Sequence, residues 1–189
     1  MLLRLVEEQA GLCAYTMKSI LQSEGKWQAH IEHILPRTRH ANESVTWGNL
    51  VACIPQPGAH CPYGAVQKDA YDPADKLFVK PTQGGLNSHF RYRENGEVDA
   101  LTPAAKATVD EKVLNLNHSE LVNDRKAKIQ AAIARKPSAT EARRRAQELR
   151  KKDRAGHLEP YCEAVAQVLE AYARRVEARV VRLAATQRR

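Results

Sequence analysis

The stretch from Ala29 to Asp69 constrains this chain most. It opens on an apolar strand pattern, Ala29-His30-Ile31-Glu32-His33-Ile34-Leu35. Pro36, which cannot continue a strand ladder, stops it. A carboxylate and an imidazole therefore stand side by side at a strand end. A loop carrying Arg37 and Arg39 follows, then Trp47-Gly48-Asn49-Leu50. A turn bearing Cys53, His60 and Cys61 then leads to Lys68-Asp69. Each piece alone is common. Their order on one chain is much rarer.

The rest of the chain reads as elements arranged around that segment. Leu2, Leu3, Leu5, Val6 and Ala10 form a helical face that Gly11 ends. Cys13 to Thr16 make a turn, followed by a strand or short helix through Ile20 and Leu21. Ser23 to Lys26 form a hairpin loop, and residues 27–35 read as one strand. Residues 70–81 make an irregular connection. Residues 88–98 alternate about Asn95-Gly96, a pair that tolerates positive φ at both centres. Thr102-Pro103 caps a helix reaching Val113 or Leu114. Asn117 to Glu120 open a second helix, ended by Pro137. Ser138 to Glu141 open a basic third, ended by Gly156. Pro160 fits the first turn of a last helix whose apolar stripe runs from Leu158 to Leu183.

Charge divides the chain in two. Residues 121–189 hold 18 Lys and Arg against 8 Asp and Glu, whereas the first 120 hold 12 against 14. A basic block beside a near-neutral one suits a polyanion, most simply nucleic acid; a solvated helix face is the alternative. Four cysteines are too sparse for a secreted disulfide scaffold and fit metal ligands or buried thiols in a reducing compartment. The first residues do not read as a signal peptide, and no segment has the length of a membrane span. The expected location is the cytoplasm.

The ordered set Cys13-Ala14-Tyr15, Ile31-Glu32-His33-Ile34-Leu35-Pro36, Trp47-Gly48-Asn49-Leu50, His60-Cys61 and Lys68-Asp69 resembles the ββα-metal core of HNH endonucleases. Phe90-Arg91-Tyr92-Arg93 with Gly96, Leu114-Asn115-Leu116-Asn117 and Arg125 extend the likeness over about two thirds of the chain. These narrow it to the nuclease subunit of Septu and its retron-associated anti-phage relatives. The chain departs from the pattern at Thr16, where a second cysteine is usual, in the long Cys53–Cys61 loop, and at Ala65. Ala65 lies three residues before the lysine, where a His or Asn is usual.

The resemblance implies an α+β fold with a small ββα-metal core. An HNH domain would span residues 1–100, with its core at 12–72 and a flanking hairpin at 88–98; a mostly helical, basic region would span 101–189. A neutral histidine suits activation of water, and a carboxylate suits Mg²⁺ or Mn²⁺. His33 is accordingly expected as general base and Glu32 as metal ligand, with Asn49 tying the loop that aims the histidine. His60, Asp69 and His30 remain alternatives for a further ligand. Cys13, Cys53 and Cys61 are expected as buried thiols, with a structural zinc as the less favoured option. DNA contacts are expected from Arg37, Arg39 and Lys68. Arg143, Arg144, Arg145, Lys151 and Lys152 of the basic helix would grip phosphates rather than read sequence. His40, His89, His118 and His157 read as ordinary polar positions.

The implied activity is metal-dependent DNA cleavage with little sequence choice, leaving 5′-phosphates. The implied partner is an ABC/SMC-like ATPase. Rival expectations are a degenerate HNH module that binds without cutting, a bacteriocin-type toxin, and a stand-alone restriction or repair nuclease.

Overall fold

A computed structural model describes residues 1–186. Its architecture is α+β. Helix α1 (Leu2–Glu8) buries Leu5 and Val6. Two short strands, β1 (Gln22–Ser23) and β2 (Lys26–Trp27), pair across Glu24 and Gly25, both with positive φ as a tight two-residue turn demands. The expected single strand over 27–35 is instead two. β2 stops at Trp27, and β3 (His30–His33) pairs with β4 (Leu50–Cys53) in a separate antiparallel hairpin. β4 is buried throughout. Its edge is closed partly by a side chain: Gln9 donates to the Ala52 carbonyl and accepts from the Ala52 amide, at 2.8 and 2.7 Å. A one-turn helix, α2 (Ala65–Lys68), follows the cysteine loop.

A third hairpin joins β5 (Phe90–Tyr92) to β6 (Val98–Ala100). Its turn differs from the expected two-residue form. The Arg93 amide donates to the Glu97 carbonyl and Gly96 to that of Arg93, and only Gly96 adopts positive φ, +89°. That glycine is dictated by packing as well as by the turn. A Cβ there would lie 2.1 Å from the Val122 carbonyl oxygen, because the next long helix passes directly over it.

Helix α3 (Pro103–Val109) ends sooner than its apolar pattern suggests. Asp110 then accepts from the Lys112 amide, and Asn115 takes positive φ, which turns the Leu114-Asn115-Leu116-Asn117 segment back toward the core. Helices α4 (Ser119–Ile133), α5 (Ala139–Leu149) and α6 (Cys162–Thr186) form the second half. Ser138 caps α5 by accepting from the Glu141 amide. The helix stops at Leu149 rather than at Gly156. Asp153 accepts from the amides of Ala155 and His157 and folds residues 150–160 into a loop.

Two apolar clusters result. The first joins α1, the β3–β4 hairpin, Tyr63, Phe78 and Leu114 through Leu121. The second joins Ile129, Ala142, Ala146, Val165, Leu169 and Ala173 of the three long helices, with Tyr92 touching both clusters. Backbone bonds from Leu158 to Ala10 (2.9 Å) and from Tyr161 to Met17 (3.1 Å) tie the start of the chain to its last helix. The stripe of α6 is buried through Ala173. Beyond it Val180 and Leu183 are exposed. Among the described residues no helix is long and apolar enough to cross a membrane.

Candidate active site

His33 closes β3, paired opposite Leu50. Its Nε2 lies 3.0 Å from the Ser44 carbonyl oxygen. A carbonyl only accepts, so that nitrogen carries the proton and Nδ1 is left with a lone pair. The carbonyl is fixed in turn. Asn49, buried ahead of β4, accepts from the Leu35 amide at 2.7 Å and donates to the carbonyls of Leu35 and Glu43 at 3.2 and 3.1 Å. One amide thus stitches both ends of the loop from Leu35 to Ser44, and the loop holds the imidazole. Both N–H donors of that amide are used, and its oxygen accepts one bond.

Glu32 lies elsewhere. Pairing continues through His33, so alternation sends side chains 32 and 33 to opposite faces of the hairpin instead of into one pocket. Glu32 turns inward. Its Oε1 is 2.9 Å from the Lys68 ammonium, which also donates to the His33 carbonyl at 3.2 Å. The Lys68 side chain is wholly shielded from solvent. This corrects its expected place among the DNA contacts: it is the counter-ion of Glu32. The Lys68 ammonium is off the line of a true hydrogen bond to Oε1, and the Tyr15 hydroxyl nearby is likewise buried without a partner. Burial, with the Glu32 charge beside it, pushes the Tyr15 phenol well above its ordinary value.

The other expected ligands are dispersed. Ala65 is buried and offers no donor. His60 is exposed on the loop before Cys61, and Asp69 is exposed with φ +42°. His30 Nδ1 is taken by the Pro55 carbonyl at 2.6 Å. Among the described residues no three His, Cys, Asp or Glu side chains are grouped to hold a metal ion. The implied divalent ion therefore does not fit the donors present at Glu32: the one carboxylate already faces an ammonium, and the neighbouring helix supplies a methyl group. Cys13, Cys53 and Cys61 are buried free thiols of the first apolar cluster. Burial raises the Cys13 thiol, but hydrogen bonds from Cys53, Thr16 and the backbone outweigh it and bring the thiol to about 6. Cys53 is pushed well above its ordinary value by burial and by Cys13.

A constellation that the sequence did not suggest lies on the same loop. Asp72, 1% exposed, accepts from His40 Nε2 at 2.8 Å and from the Ala74 amide at 3.0 Å. Arg39 spans Asp72 (2.9 Å) and Asp75 (2.6 Å). Burial works against the Asp72 charge, but these donors outweigh it and hold the carboxyl below its usual range. His40 stands at the start of the 3₁₀ turn (Ala41–Glu43) that leads to Ser44, so this cluster anchors the far side of the loop that holds His33.

The basic helix is largely neutralised. Arg143 pairs with Glu177, Arg144 with Glu141 and Glu148, and Arg150 with Glu163 and Glu170, all within 2.8 Å; Arg145 donates to the Ala132 carbonyl. Arg37, Lys151 and Lys152 are exposed. No protein-family model matches this chain, and no curated protein matches it.

Proposed function

We propose that this chain is a DNA phosphodiesterase of the HNH kind, with His33 as its general base. One observation carries the reading. An imidazole at a strand end is held in a single tautomer by a backbone carbonyl, and that carbonyl's loop is stitched shut by Asn49. A base oriented by a third group is the arrangement proton abstraction from water requires. Nδ1 of His33 takes the proton as the water oxygen attacks phosphorus; the bond to the 3′ oxygen breaks, that oxygen takes a proton from solvent and leaves as a hydroxyl, and the phosphate stays on the 5′ side. The exposed guanidinium of Arg37 supplies positive charge along the same loop, whereas that of Arg39, expected as a DNA contact, faces Asp72 and Asp75. The donors at Glu32 do not fit Mg²⁺ or Mn²⁺, and no step here depends on a divalent ion. Partnership with an ABC/SMC-like ATPase, a role in anti-phage defence and action in the cytoplasm belong to the same proposal and rest on the family resemblance.

A second reading, a degenerate HNH module that binds DNA or an ATPase without cutting, is favoured by Ala65 and by the Glu32–Lys68 pair. Supercoiled plasmid separates the two. Wild type should nick it, with and without added Mg²⁺ or Mn²⁺. His33→Ala should lose a factor of about 10² to 10⁴, as expected for a general base. Cleavage by both proteins alike would refute the assignment. Retained DNA binding with no cleavage, alone or beside the ATPase, would establish the second reading.

A further inference from the structure

We infer that the ammonium of Lys68 is a resident cation at Glu32, occupying the position where an HNH site would take a divalent ion, so that no divalent ion binds at this carboxylate. The inference uses the HNH reading only to say which ion is displaced. It stands or falls on binding at Glu32, not on whether the protein cuts DNA.

Three observations converge on it. The Lys68 side chain has no solvent exposure, and its ammonium lies 2.9 Å from Glu32 Oε1. A fully enclosed ammonium is tolerated only with a counter-charge, and Glu32 is the carboxylate within ion-pair distance; removing either charge strands the other in the core. Second, the same ammonium donates to the His33 carbonyl at 3.2 Å. It bridges α2 to the strand end from which the histidine projects, so it is a positioning group as well as a counter-ion. Third, α2 is one turn long and begins at Ala65, which is buried and offers no donor atom in its side chain. Glu32 and Lys68 together carry no net charge. A divalent ion placed against Glu32 would raise the enclosed charge to +2, with one shared carboxylate as its protein ligand. Mg²⁺ and Mn²⁺ take oxygen-rich shells and lose water reluctantly, so such a position is unfavourable for either.

The arrangement inverts the usual roles. The carboxylate is structural, and the cation that neutralises it is covalently part of the chain. The buried Tyr15 hydroxyl lies beside the same carboxylate.

The wild-type protein tests this directly. An ammonium shielded from water exchanges its protons slowly, so the Lys68 Nζ–H group should give a resolved cross-peak in ¹H–¹⁵N spectra recorded for lysine ammonium groups. Mn²⁺ broadens any nucleus within roughly 10 Å. On titration with Mn²⁺ the Lys68 ammonium signal should keep its linewidth. Separately, electron paramagnetic resonance of Mn²⁺ should find the same number of bound ions in wild type and in Glu32→Gln. Loss of the Lys68 signal at stoichiometric Mn²⁺, or one bound ion that disappears in Glu32→Gln, would overturn the inference. Plasmid cleavage is scored on the same sample. A protein that cuts without broadening supports both this inference and the nuclease reading; one that does not broaden, and does not cut alone or beside the ATPase, supports this inference and refutes that reading.

Discussion

Replacing Asn49 by alanine should loosen the loop that holds His33. The side chain makes three hydrogen bonds, to the Leu35 amide and to the carbonyls of Leu35 and Glu43, and the residue is 4% exposed. A typical intramolecular hydrogen bond is worth about 1 kcal/mol net, and more where the partner left behind is buried, so the loss should be about 3 kcal/mol. That is a large share of the ~5–15 kcal/mol by which domains are stable. Asn49→Asp should fare no better, since it keeps an acceptor for the Leu35 amide but turns a carboxylate toward two carbonyl oxygens. Urea unfolding followed by tryptophan fluorescence measures the total, with Trp47 two residues away as a local reporter. Hydrogen exchange reads the cause: the Leu35 amide should lose protection in Asn49→Ala, where its acceptor is gone. A loss below about 1 kcal/mol in Asn49→Ala, with Leu35 protection intact, would refute the claim that this amide closes the loop.

Gly96→Ala should destabilise by about 3 kcal/mol, because overpacking against a helix backbone adds to the strain of positive φ; the Cβ would meet the Val122 carbonyl at 2.1 Å, and a shift in thermal midpoint of under a degree would contradict this. Acid should unfold the wild type earlier than Asp72→Asn relative to their stabilities at neutral pH. The Asp72 carboxyl titrates lower folded than unfolded, so its contribution is present above its unfolded value of about 4 and is lost as pH falls through the folded one. Equal acid slopes would sink that reasoning. If the basic half grips DNA, Lys151→Ala with Lys152→Ala should reduce the slope of log K against log salt by about 1.8. Arg143→Ala with Arg144→Ala should change it less, because both guanidiniums already face carboxylates.

What was legible in the sequence was local. Pro36 ending a strand and Ser138 three residues before Glu141 each act over a few residues, and α5 begins where its cap puts it. Asn49, which reaches back 14 positions to Leu35, is named through the family resemblance. What escaped was long-range. Nothing near Lys68 tells that its ammonium is enclosed beside a carboxylate 36 positions earlier. The Asp72–His40 contact likewise joins residues 32 apart. Arg143 reads as part of a phosphate-gripping run because its partner Glu177 lies on another helix, 34 positions on; the partners of Arg144, Glu141 and Glu148, share α5 with it. The early end of α5 did carry a signal, Asp153 followed by Gly156, the spacing of a side chain that captures its own downstream amides.

The two backbone bonds from Leu158 and Tyr161 to Ala10 and Met17 set an order in time. A ribosome delivers the first helix, all three hairpins and the whole of α5 before residue 158 exists. Throughout that interval the carbonyls of Ala10 and Met17 can bond only to water. The nascent protein is therefore unfinished at its beginning until nearly all of it has been made. A stall or cleavage between α5 and α6 would leave the first-made turn, the one that carries Cys13, as the place where the incomplete chain comes undone.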